Sequence, residues 1–314
     1  MTTAVDRDAL RAPQRPGDRI FSTATVVAGS LILAVLAAVA LFLFVQSIPA
    51  FLAVPEDFDG GSANFWDYVW PLAFGTLWSA FLALVMAIPV AIGIALFISH
   101  YAPRRLAQGL GYIVDLLAAV PSVVFGLWGI GVLAPMLQPF YTTLVEWFGW
   151  FPLFEGPVSG TGRTILTVAI VLAVMVLPII TAISREIFLQ TPVLHEEAAL
   201  ALGATRWEMI TMAVLPFGRP GIISAAMLGL GRALGETMAV AMVLSPSPQI
   251  IFQLLTSQNP TTIAANIALN FPEAHGVGVN ILLGTGLILF VITLAVNMLA
   301  RYIINRRKAF SGAN

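Results

Sequence analysis

The chain has no cysteine among its 314 residues, and Lys308 is its only lysine. Without cysteine there are no disulfides, no thiolate metal sites and no iron–sulfur ligation. A phosphate-cradling P-loop needs Gly-Lys-Ser/Thr, and Lys308 is followed by Ala309 and Phe310. If ATP drives this protein, another chain must bind the nucleotide and its magnesium. Histidine is also scarce: His100, His195 and His275 are scattered, which argues against a histidine-built metal site. Charge is the largest deficit. Only 10% of residues are charged and 59% are hydrophobic, whereas a soluble domain carries about 25% charged residues because its surface faces water. Most of this chain's side-chain surface must face lipid instead. A net charge of −1 creates no field that would recruit nucleic acid.

What is present is a series of long apolar runs. A bilayer core of about 30 Å takes roughly 20 apolar residues in a helix. Five runs meet that length: Ile20–Ser47, Gly75–Ile98, Gly109–Leu137, Thr164–Ile187 and Ile281–Ala300. A sixth, Gly218–Leu244, qualifies despite holding Arg232 and Glu236. The aromatic stretch Pro139–Pro152, broken by Glu146 and Gly149, reads as an interfacial segment, since Trp and Tyr favour the headgroup level. Residues 249–272 read as an ordered outer loop. The expectation is an all-α membrane protein of six helices. Its parts are a tail over 1–19, an anchor helix over 20–47, a core over 70–305 and a tail over 306–314. The first run is about twice the length of a signal-peptide core, so a retained anchor fits better.

Charge sets the expected orientation. With six helices, all basic residues except Arg163 and Arg232 fall on the side of the termini. The opposite loops hold Glu56, Asp57, Asp59, Asp67, Glu146, Glu155 and Glu273. The positive-inside rule then places both termini in the cytoplasm of a multi-pass cell-membrane protein.

Between the fourth and fifth runs lies a cytoplasmic hairpin over 189–217. Thr191 is a suitable N-cap with Pro192 at the first helical position. Gly203 ends that short helix, and Thr205 with Glu208 forms a Thr-x-x-Glu capping box that opens a second. Leu200, Leu202, Trp207 and Met209 offer apolar contact to another surface. Here the sequence resembles permeases of bacterial ATP-binding-cassette (ABC) importers of the type I kind. Their inner-loop pattern is Glu-Ala-Ala, three residues, Gly, nine residues, Ile-x-Leu-Pro. This chain has Glu197-Ala198-Ala199, Gly203 and Leu215-Pro216 at that spacing, with Ala213 at the Ile position. The resemblance implies a coupling helix that docks on an ATPase subunit, with Glu196, Glu197, Ala198, Ala199 and Gly203 at the contact.

Within the membrane, Arg232 lies about 20 Å along a helix from Arg219, which places it near the bilayer midplane. A buried arginine there costs roughly 2.5–3.5 kcal/mol or more. Glu236 follows at i+4 and so lies on the same helix face. Gly229, Gly231 and Gly235 thin that face. Two readings stay open: a structural ion pair, or a cationic contact for a moving anion that Glu236 neutralises when the pathway is empty. Asp115, Ser122 and Thr237 are further pathway or structural polar residues. Asp115 is read as a helix-start acid or an arginine's partner; Ser122 is read as satisfying carbonyls freed by proline kinks at Pro89, Pro121 and Pro178.

Residues 231–240 (Gly-Arg-Ala-Leu-Gly-Glu-Thr-Met-Ala-Val) and 118–129 (Ala-Ala-Val-Pro-Ser-Val-Val-Phe-Gly-Leu-Trp-Gly) are similar to the PstC-type permeases of phosphate importers. The likeness runs through roughly 70–305. It implies a heterodimer with a PstA-like sister permease, two PstB-like ATPase subunits and a PstS-like external phosphate-binding protein. It also implies phosphate as the carried ion and no cofactor bound by this chain. A sulfate or molybdate importer shares the inner-loop pattern. An ion-coupled secondary transporter would show internal repeats with paired broken helices, and the sequence shows no such duplication. A respiratory or scaffold membrane subunit would carry haem-type histidine pairs within its helices, and there are none.

Overall fold

The computed structural model describes residues 16–58 and 61–308; Arg7, Arg11, Arg15, Asp59 and the tail from residue 309 lie outside them. Regular structure among the described residues is helical, apart from one bridge between Pro246 and Asn259. Six stretches are long and apolar enough to cross a membrane: Gly17–Phe51, Phe65–Tyr101, Ser122–Phe148, Ile165–Leu189, Arg206–Leu234 and Val277–Tyr302.

The centre of the molecule is a three-helix stack. Helix α1 (Pro16–Phe51) precedes α2 (Phe65–Leu96). Ala80, Ala83, Ala87, Ala91 and Ala95 form a buried stripe on α2, spaced every three or four residues. Small residues at that spacing let backbones approach, which is how helices associate where lipid supplies no hydrophobic drive. The stripe packs against α6 (Ile165–Leu189), the most enclosed span, whose Leu172, Val176 and Ile180 are fully buried. Helix α9 (Leu215–Leu234) packs against α6 and also touches α2. A Cβ added at Gly218 or Gly229 would crowd Phe188 or Ile180 to within 2.9 and 2.8 Å, so these glycines are packing residues. Helix α1 stands outside this stack with its apolar side chains exposed, as an anchor in lipid would. It is held by α12 (Val277–Lys308), through Asn280 Nδ2 donating to the Gln46 carbonyl at 2.7 Å.

Two spans differ from the sequence expectation. The third does not run over Gly109–Leu137. An amphipathic helix, α3 (Arg104–Ala118), ends at Ala119–Val120, and the span itself is α4 (Ser122–Trp128), a π-helical turn at Gly129–Leu133, and α5 (Ala134–Phe148). Pro121 is the cause: it disfavours helical backbone at the preceding residue but suits the position just before a new helix. The stretch Pro139–Phe148 is therefore the end of this span rather than a separate interfacial segment. Within it the Thr142 and Thr143 hydroxyls donate to the Gln138 and Pro139 carbonyls one turn earlier, which keeps these polar groups satisfied inside the helix. The total stays at six, so the alternation of sides survives. The fifth span begins earlier and ends earlier than expected: α8 (Arg206–Met209) runs through a π-helical turn at Ile210–Val214 into α9.

Residues 249–272 are not simply a loop. They include α11 (Ile263–Asn270), whose first amide donates to the Thr76 hydroxyl inside α2 at 2.9 Å. The preceding strand-like run is tied at Leu254 N to Leu153 O and at Ser159 N to Leu255 O, both 2.9 Å.

Candidate functional site

The helix carrying Arg232 stops at Leu234, and Gly235 caps it. Glu236 and Thr237 lie in a break, after which a short helix, α10 (Met238–Val243), begins. Three glycines in seven residues weaken the helix here. Glu236 then completes the interruption, since its Oε1 accepts from Ala239 N at 3.0 Å and takes one of the orphan donors of α10. The carboxylate is only 7% exposed and sits at the positive end of the helix dipole. Met242, Val243 and Leu244, at the other end of α10, accept from the Arg163 guanidinium at 3.0–3.3 Å. The six-residue helix is thus held by a negative charge at its start and a positive one at its end.

This geometry corrects the shared helix face expected for Arg232 and Glu236 at i+4. Arg232 is half-buried in the last turn of α9 rather than midway along a span, and about 39 Å of helix separates it from Arg206. It makes no ion pair or hydrogen bond among the described residues, and Glu236 is engaged elsewhere. Gly231 beside it faces open space, whereas Gly229 is filled by Ile180. Thr237 is half-buried at the start of α10.

The second broken helix meets the first. Helix α10 packs against α4 closely enough that a Cβ on Gly126 would lie 3.0 Å from the Ala239 Cα, and one on Gly129 would lie 2.7 Å from Val243. Ser122, half-buried at the start of α4, makes no side-chain hydrogen bond among the described residues, so the expected satisfaction of kinked carbonyls is not seen. Asp115 is exposed on α3, ahead of the span and outside it.

At the opposite end of α9 the hairpin forms. Helix α7 (Val193–Ala201) starts one residue later than expected, because Pro192 keeps an extended ψ of 122° and stands before it. Thr191 consequently caps nothing; its hydroxyl is buried without a partner. Gly203 has φ +86°. Its amide reaches the Leu200 carbonyl, and Ala204 N reaches Ala199 O, which together make the Schellman closure. The Thr205–Glu208 box is present in both directions, at 2.7 and 3.3 Å.

The hairpin has two faces. Glu197, Ala198, Leu200, Leu202 and Trp207 point outward, with Leu202 90% exposed. Glu196 and Ala199 point inward, and Met209 is buried against Leu96, Phe188 and Val214, so it offers nothing to a partner. Glu196 Oε1 lies 3.4 Å from His100 Nε2, in the π-helical turn Phe97–Tyr101 that ends the second span. Sequence reading missed His100 and Arg163. Their partners lie 96 and about 80 positions away, and no local pattern marks such a distance.

Comparison with known proteins follows the same lines. A family model described as the binding-protein-dependent transport system inner membrane component matches residues 87–309. The chain is 47% identical over 302 residues to the phosphate transport system permease protein PstC 2 of Mycobacterium tuberculosis, covering 93% of each. It is 40% identical over 309 residues to the PstC of Mesorhizobium japonicum, covering 94% of this chain and 92% of that one. In fold it is similar to a bacterial alginate ABC transporter solved in complex with its periplasmic protein, at a TM-score of 0.57 and 18% identity over 93% of this chain and 98% of that one. The chain belongs to the binding-protein-dependent transport system inner membrane components and, among them, to the PstC-type permeases.

Proposed function

We propose that this chain is one of two permease subunits of an ATP-driven phosphate importer. The observation that carries the reading is an arginine with no ion pair or hydrogen bond among the described residues, beside the break between α9 and α10, in a chain of the PstC type. Arg232 retains its whole fork of donors, and a planar guanidinium matches a tetrahedral oxyanion with two parallel hydrogen bonds. Phosphate entering from outside meets Arg232 next to Gly231. With Glu236 held by α10, no acid among the described residues pairs with the guanidinium.

Supporting the importer reading, the hairpin presents Glu197 and Ala198 with Leu202 and Trp207 on a free face. A PstB-like ATPase docks there, and its closure is passed along the continuous helix from Arg206 to Leu234 to the break. Glu196 takes a different part from Glu197: through His100 it ties the hairpin to the second span. Nucleotide and magnesium are held by the ATPase pair, a PstA-like chain supplies the other half of the pathway, and a PstS-like protein delivers phosphate. Both termini are cytoplasmic. A sulfate or molybdate carrier is the competing substrate assignment.

The test is purification of the tagged chain with its partners, followed by uptake in vesicles that hold the whole complex. ATP-dependent phosphate uptake, little affected by excess sulfate, is expected. Preferential sulfate or molybdate uptake, or phosphate uptake at full speed without the ATPase, would overturn the reading.

A further inference from the structure

At the hairpin end of the molecule, one arginine holds a buried guanidinium nitrogen that has no partner among the described residues. Arg185 lies on α6, one turn before the helix ends at Leu189. Its Nε is buried and has no hydrogen-bond acceptor among the described residues. Its Nη1 lies against α3 at Gly111, where any Cβ would overlap it. The absence of a side chain at Gly111 is what admits the guanidinium. An arginine cannot discard its proton; with Nε shut away from solvent, the guanidinium meets the neighbouring cavity through its Nη edge, whose donors are open to an acceptor there.

Beside Arg185 lies a cavity of about 530 Å³ between α3, α6 and the end of the second span. Arg104, Gln108 and Asp115 line it with Arg185, while Tyr112 and Leu189 supply an apolar wall. Asp115 forms no ion pair with either arginine among the described residues. The two cations and one acid leave the cavity net positive. A water takes about 30 Å³, so the space holds an oxyanion with its hydration, or a headgroup with the first atoms of its chains.

We propose that this cavity is a binding site for a phosphate group, gripped by Arg185 over Gly111 and attracted by Arg104. It is distinct from the Arg232 break, which lies at the far end of α9. Free phosphate and the phosphodiester of an anionic lipid share this chemistry. Only the assignment of the cavity to the cytoplasmic side rests on the importer reading.

Because the chain has no cysteine, Ala107→Cys, at the cavity wall, introduces a single thiol on it. The assembled complex is placed in nanodiscs, and alkylation of that thiol by a small neutral maleimide is timed. One arm uses phosphatidylcholine discs with added inorganic phosphate; the other uses discs containing phosphatidylglycerol without phosphate. Slowing by about tenfold at ten times the dissociation constant is expected in at least one arm. The arm that responds names the source. Arg185→Gln removes the protection, Arg185→Lys keeps part of it, and Asp115→Asn, which deletes the competing acid, strengthens it. ATP hydrolysis by the same sample reports that the complex is intact. No slowing in either arm of an intact complex overturns the proposal, as does slowing that Arg185→Gln leaves unchanged. Uptake plays no part in this readout, so its failure leaves the role of Arg232 untouched.

Discussion

Replacing Glu236 separates its charge from its shape. Gln keeps an oxygen acceptor for Ala239 N, so Glu236→Gln should retain most of the complex's thermal stability. Glu236→Ala removes the acceptor, and losing an N-terminal helix acceptor costs about 0.5–2 kcal/mol. A thermal unfolding series in detergent should therefore rank wild type and Gln above Ala. Equal melting of all three would mean that the carboxylate is not holding α10. For Arg232→Gln the expectation concerns transport: phosphate uptake falls roughly ten- to a hundredfold, the equivalent of losing a charged hydrogen bond of about 1.5–3 kcal/mol, while the subunits still co-purify. Ordinary uptake would make Arg232 structural. Both residues were legible in the sequence, because ionisable groups in an apolar run stand out. Their relation was not: i+4 implies a shared face only if the helix continues, and whether it continues depends on the Glu236 carboxylate finding Ala239 N.

The hairpin is the element most fully legible in advance, because caps are local chemistry. Gly203 and the Thr205–Glu208 box act within five residues of themselves, and both form as expected. Gly203→Ala should destabilise the turn by about 1 kcal/mol, since φ +86° is costly for a residue with a Cβ. It should weaken ATPase association in pull-downs without preventing insertion. Glu197→Arg should do so more severely, because Glu197 lies on the free face; normal co-purification of that variant would remove the docking assignment. The elements least legible were the two broken helices. Hydropathy registers Gly109–Leu137 as one apolar run, yet Pro121 divides it into an amphipathic α3 and a span that starts afterwards. The buried residues of α3 are Gly111 and Val114, a narrow stripe that an apolar-content reading cannot separate from a lipid-facing helix.

For the molecule as a whole, orientation is the expectation most open to direct measurement. With no native cysteine, Leu202→Cys on the hairpin and Trp150→Cys beyond the third span, at 90% and 79% exposed for the native residues, can each be labelled singly. An impermeant thiol reagent added to intact cells should modify position 150 and spare 202; the reverse would invert the protein.

Composition and run length by themselves determined that this chain lives in lipid, that it crosses six times and that it carries a capped hairpin. Each of those rests on the cost of exposing apolar surface to water, or on contacts within a few residues. Tertiary structure alone decided where the helices break, that Arg232 and Glu236 part company, which groups Arg163 and His100 meet, and that Arg185 packs over Gly111. Those outcomes depend on which backbone reaches which distant side chain, and that follows only when α2, α6 and α9 have packed and fixed the distances between them.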